Sequence, residues 1–191
     1  MKNKYSFEDY NNLQLLYNVI NYWLSIRQEF EEKLESCMDE DYYSLLQDSY
    51  NHLCASILIT IYSKLETELF LIQNRLMKKT NIGKSSRVSY NYKCLDCCLK
   101  QRGIINNEIK NYNVVNILRL YCNAYKHNNG EYSNELLKQL KNPNIQSLFY
   151  STNTGINENN EIDYTDINVK YIYDKVCVYY KELLDSIKQF C

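Results

Sequence analysis

Residues 42–79 read YYSLLQDSYNHLCASILITIYSKLETELFLIQNRLMKK. Apolar side chains recur there at Leu46, Tyr50, Leu53, Ile57, Ile61, Leu65, Leu69, Ile72 and Leu76, in steps of three and four. Such steps return each side chain to one side of a helix with 3.6 residues per turn, whereas a strand would scatter them over both faces. No proline or glycine interrupts the run. Asp39, Glu40 and Asp41 precede it and suit a helix N-terminus, Arg75, Lys78 and Lys79 suit the C-terminus, and Gly83 lies just past the end. A helix over 42–79 is therefore expected, several turns longer than an average one. A single helix of that length cannot bury its own stripe, so the fold is expected to be all-α.

The neighbouring segments supply the partners. Upstream, Leu13, Leu16, Ile20, Trp23 and Phe30 keep the same period, which places an N-terminal helix within 1–38, paired with the long helix as an antiparallel hairpin. Downstream, a short helix fits 92–102 and stops at Gly103, and another fits 113–126 and stops at His127-Asn128-Asn129-Gly130. Ser133 can cap a small helix through Leu140 that Pro143 ends. Residues 143–163 are polar and loop-like, and within them 145–150 and 161–164 fit a small β-hairpin between about 145 and 164. Val169, Ile172, Val176, Tyr179, Leu183, Ile187 and Phe190 mark a closing helix over 165–190. The expected architecture is an antiparallel bundle of four to five main helices, one domain over 1–191. Its parts are the N-terminal helix (1–38), a core (42–130) and the closing helix.

Bulk properties narrow the function. With 22 basic and 23 acidic residues the net charge is −1, so no global field draws the chain to nucleic acid, and any such contact needs a local patch. The opening MKNKYSFEDYNN lacks the apolar run of a signal peptide, and no stretch is long and apolar enough for a membrane. Eight cysteines in that setting read as free thiols of a reducing cytoplasm, several of them small core residues. The twenty tyrosines are spread along the chain and fit a biased codon usage better than a binding surface.

Few residues carry a chemical signature. Cys94, Cys97 and Cys98 form a C-x2-C-C cluster without the second pair of ligands that a zinc site needs, so no metal and no cofactor is expected. Glu66 and Glu68 read as a solvated face of the long helix, and His52 as a residue flanking its stripe. A Gly-rich phosphate loop, a G-x-S-x-G elbow and an H-E-x-x-H helix are all missing.

Residues 119–132, RLYCNAYKHNNGEY, differ from the rest. On a helix Val114, Leu118, Tyr121 and Tyr125 face one way, while Arg119, Asn123 and Lys126 face nearly the other, with His127 beside them. A guanidinium, a carboxamide, an ammonium and an imidazole thus gather on one face at a helix C-terminus, where the helix dipole favours cations.

This run resembles the signature helix of HEPN domains, small all-α proteins of bacterial toxin–antitoxin and phage-defence systems. Their signature is an arginine, often followed by asparagine, then a histidine within four to six residues, in phrases such as R-N-x-x-x-H-N-x-G. Here Cys122-Asn123-Ala124-Tyr125-Lys126-His127-Asn128-Asn129-Gly130 follows that phrase, and the long helix with Tyr62-Ser63-Lys64-Leu65-Glu66 sits upstream as in the family. The resemblance covers roughly 41–130. It implies a metal-independent ribonuclease that works as a homodimer on RNA, tRNA included, with an antitoxin or another defence protein as a partner. It also implies roles: His127 would exchange a proton with the ribose 2′-hydroxyl or the leaving oxygen, Arg119 or Lys126 would meet the phosphate, and Asn123 would orient the groups. One departure matters. Cys122 stands at the family arginine, and Arg119 lies one turn upstream. Three outcomes stay open: Arg119 substitutes, Lys126 supplies the charge, or the chain is a non-catalytic RNA- or protein-binding relative.

Overall fold

The computed structural model describes residues 11–79, 92–127, 131–150 and 161–189. Among them run six α-helices: α1 (Asn11–Ser36), α2 (Glu40–Lys79), α3 (Tyr92–Lys100), α4 (Tyr112–His127), α5 (Asn134–Leu140) and α6 (Val169–Gln189). No sheet forms among the described residues, and none of these helices is long and apolar enough to cross a membrane.

The 40 residues of α2 make it about 60 Å long, and it is the axis of the bundle. Asp39 starts it: its side-chain oxygen accepts the Tyr42 N–H at 2.8 Å, satisfying one of the donors a helix start leaves open. Three residues separate α1 from α2, so the two fold back as the expected hairpin, with Phe30 stacked on Tyr50 at 5.4 Å. Along its length α2 also packs against α3, α4 and α6, while α4 packs on α5 and α6. The α2 stripe enters one continuous core with Trp23, Leu99, Leu118, Tyr121, Val176 and Leu183.

The short helices end where the sequence indicates. Gly103, at φ +73°, closes α3: the Ile104 N–H reaches the Leu99 carbonyl and the Gly103 N–H the Lys100 carbonyl, the paired bonds of a Schellman cap. Ser133 caps α5, accepting the Leu136 N–H on its side chain.

Three expectations need correction. Instead of a strand, Pro143–Leu148 forms 3-10 turns, which the fixed φ of proline favours. Residues 148–150 pair with 166–168 rather than 161–164: Tyr150 N–H donates to Asp166 O and Asn168 N–H to Leu148 O. Residues 151–160 of the expected hairpin lie outside the described residues. The closing helix also starts later, because Tyr164–Asp166 is a separate 3-10 turn. Thirdly, Glu68 is not solvated. It is 1% exposed and accepts a hydrogen bond from the Tyr180 hydroxyl of α6 at 3.2 Å, since its position falls between Leu65 and Ile72 on the packed face.

Tyrosine hydroxyls repeatedly join elements that lie far apart in the chain. Tyr173 donates to the Leu13 carbonyl at 2.8 Å. Tyr179 donates to the side-chain oxygen of the fully buried Asn106 at 2.7 Å, and the Asn106 amide in turn donates to Tyr92, which bonds Tyr112.

Candidate functional site at the end of α4

Helix α4 is held on its apolar side by Val114, Val115, Ile117, Leu118, Leu120, Tyr121, Cys122 and Ala124, all buried. The polar positions Asn116, Arg119, Asn123, Lys126 and His127 lie outside this buried set and form a strip away from the core. Lys126 and His127 are exposed and Asn123 is half-buried. Among the described residues no hydrogen bond or ion pair engages these three side chains. Asn128, Asn129 and Gly130, the rest of the signature phrase, lie outside the described residues.

Arg119 is differently placed. Its Nε and Nη2 donate to the Asn116 side-chain oxygen at 3.2 and 3.0 Å, and Nη2 meets Glu135 Oε1 of α5 at 3.1 Å. Its guanidinium carbon lies 6.0 Å from the centre of the Tyr92 ring. Arg119 stands eight positions before His127, about 12 Å along the axis, so the two do not converge on one atom within a chain.

Cys122 faces inward. It is 1% exposed, and its thiol donates to the Leu58 carbonyl of α2 at 3.6 Å. Burial pushes the thiol up to about 12, Lys126 pulls it down and Glu66 pushes it up, so it is neutral at physiological pH. The position that resembles the family arginine therefore lies in the seam between α2 and α4. It carries no charge.

Sequence reasoning missed two contacts. One is Glu135 on Arg119, which depends on α5 folding back along α4. The other joins His52 of α2 to the last turn of α4: its Nδ1 lies 3.1 Å from the Tyr125 hydroxyl, with the rings edge to face. Tyr164 packs edge-on against Tyr125 and donates its hydroxyl to the Tyr121 carbonyl, while its N–H donates to the Asn51 side chain. No local spacing announces either contact.

Among the described residues no group of three or more His, Cys, Asp or Glu side chains is placed to hold a metal ion. Within the C-x2-C-C run Cys98 is buried and in hydrogen-bond contact with Cys94, Cys97 is exposed, and the Cys94 thiol is also directed at the Met77 sulfur at 3.7 Å.

No protein-family model, characterised protein or solved structure matches this chain.

The chemistry within reach at the α4 end is that of a small basic strip. The helix terminus itself presents carbonyl groups and repels anions. Any phosphate contact must come from the side chains, with Lys126 as a point charge, Asn123 as a hydrogen-bond donor and His127 as a group able to give or take a proton.

Proposed function

We propose that this chain is a HEPN-like ribonuclease domain of a bacterial defence or toxin system, and that it works as a dimer through the exposed end of α4. The observation that carries this reading is the strip itself: Asn123, Lys126 and His127 stand together at the end of α4, free of partners among the described residues. A second copy of α4 placed against the first would double a modest positive cluster, which suits a chain with a net charge of −1. In that cleft His127 takes the proton of a ribose 2′-hydroxyl as its oxygen attacks the adjacent phosphorus. A 2′,3′-cyclic phosphate forms, and the 5′-oxygen leaves with a proton from the partner's His127 in its protonated form. Lys126 offsets charge on the phosphate and Asn123 orients it.

A second reading, a non-catalytic RNA- or protein-binding relative, is favoured by the buried, neutral Cys122 and by the pairing of Arg119 with Glu135. Incubating labelled tRNA and total RNA with wild type and His127→Ala in EDTA separates the two. Cleavage by wild type alone supports the ribonuclease. Binding without cleavage, weakened by Lys126→Ala, supports the binding relative, and equal cleavage by both proteins removes His127 from the mechanism.

A further inference from the structure

We infer that the Arg119 guanidinium is a phosphate subsite on which Glu135 stands in for the ligand, so that RNA must displace this carboxylate to engage α4 along its length. The inference rests on the RNA-directed reading above and adds a residue, Glu135, that sets how tightly that site holds its ligand.

The guanidinium is arranged as a receptor would be. Asn116, one turn earlier on α4, accepts from both Nε and Nη2 and so fixes the plane of the group without neutralising its charge. Glu135 then meets Nη2 through a single oxygen, rather than the two-pronged pairing that makes Arg–carboxylate contacts strong. The pair lies near solvent, with 26% of the Arg119 side chain and 59% of the Glu135 side chain exposed. Surface ion pairs of this kind are weak and salt-screened, so an incoming anion can exchange for the carboxylate.

Glu135 is also delivered by a defined element. Ser133 caps α5, and Leu136 and Leu140 bury its inner side, which sets its first turn beside Arg119. Arg119 and Lys126 lie two helical turns apart and almost in line on the strip, about 10 Å along the axis, and so would meet different phosphates of one strand. With Glu135 in place only the Lys126 end is open. With the carboxylate displaced, the strip presents two cations, of which Asn116 fixes Arg119.

The test measures affinity for a labelled single-stranded 2′-O-methyl RNA oligonucleotide, which cannot be cleaved through its 2′-oxygen, between 50 and 200 mM salt. Wild type, Glu135→Gln, Arg119→Gln and the double variant are compared, each checked for unchanged helicity. Opening one phosphate contact should steepen the slope of log affinity against log salt by about 0.7 in Glu135→Gln, an extra loss of roughly 2.5-fold over that range. Binding at low salt should tighten, and both effects should vanish in the Arg119→Gln background. Wild-type binding with an equal slope in Glu135→Gln would overturn the inference alone, as would a gain that survives loss of Arg119. An absence of binding by all four proteins would overturn both the inference and the RNA-directed reading beneath it.

Discussion

Placing an arginine at position 122, where the HEPN phrase carries one, by Cys122→Arg tests the placement of α4 directly. The Cys122 side chain is 1% exposed and lies against the Leu58 carbonyl, so the larger side chain has no open path to solvent. Overpacking a filled seam costs about 1–3 kcal/mol. Burying a guanidinium without a full partner adds about 3–5 kcal/mol, the cost seen when a buried charge loses its mate. Glu66 is near enough to raise the thiol electrostatically and would recover part of that. A net loss of roughly 4–6 kcal/mol is expected, a large share of the 5–15 kcal/mol that holds typical domains together. Cys122→Ser is the control. Its hydroxyl can keep a bond to Leu58, so it should lose only about 1–2 kcal/mol. Urea unfolding followed by far-UV circular dichroism gives both values. A Cys122→Arg protein as stable as wild type would refute the inward placement of this residue, and a gain of RNA cleavage with it would support the HEPN-like reading proposed above.

Three further outcomes follow from the packing. Burial raises the Cys54 and Cys122 thiols from 9 to about 12 and also raises the Tyr50, Tyr62, Tyr164 and Tyr179 hydroxyls, so the folded state holds these protons longer than the unfolded chain does. The thiol contribution to stability is then complete below about pH 9 and is lost as pH climbs towards 12, so the last part of the phenolate absorbance should rise only with loss of helicity; full titration of all twenty tyrosines with helices intact would contradict this. Gly103→Ala meets no atom within 4 Å, so its cost is the left-handed backbone alone, about 1 kcal/mol in thermal or urea melts. Tyr179→Phe leaves the buried Asn106 oxygen without its donor and should cost about 1–3 kcal/mol; a change under 0.5 kcal/mol would mean another group satisfies Asn106.

Much of this fold is legible in the sequence because its signals are local. The α2 stripe repeats over about eight turns, and Asp39 marks the start, so the reading of 42–79 falls within two residues of Glu40–Lys79. Gly103 and Ser133 act through bonds to neighbours a few residues away, and such bonds can be anticipated from residue type. The misreadings concern short or distant relations. A six-residue apolar segment such as 145–150 has no period long enough to separate turn from strand. Glu68 looks like a surface charge until Tyr180, 112 residues later, is brought to it. At the candidate site, the outward strip of Asn123, Lys126 and His127 follows from helical angle alone. The contact of Glu135 with Arg119 depends on how α5 returns along α4, which no spacing encodes.

The tyrosine ties also bear on how the molecule is made. Within α6, Tyr173 bonds the Leu13 carbonyl, Tyr179 bonds Asn106 and Tyr180 bonds Glu68 on α2. During synthesis α1 through α5 are made before any of these hydroxyls exists, and the buried carboxylate of Glu68 meets its phenol only when α6 arrives. Until then the nascent bundle carries an open apolar flank and depends on dilution or chaperones to avoid aggregation. Because these contacts close loops of up to 160 residues, the arrival of α6, rather than formation of the longest helix, is the event that commits the bundle to the folded state.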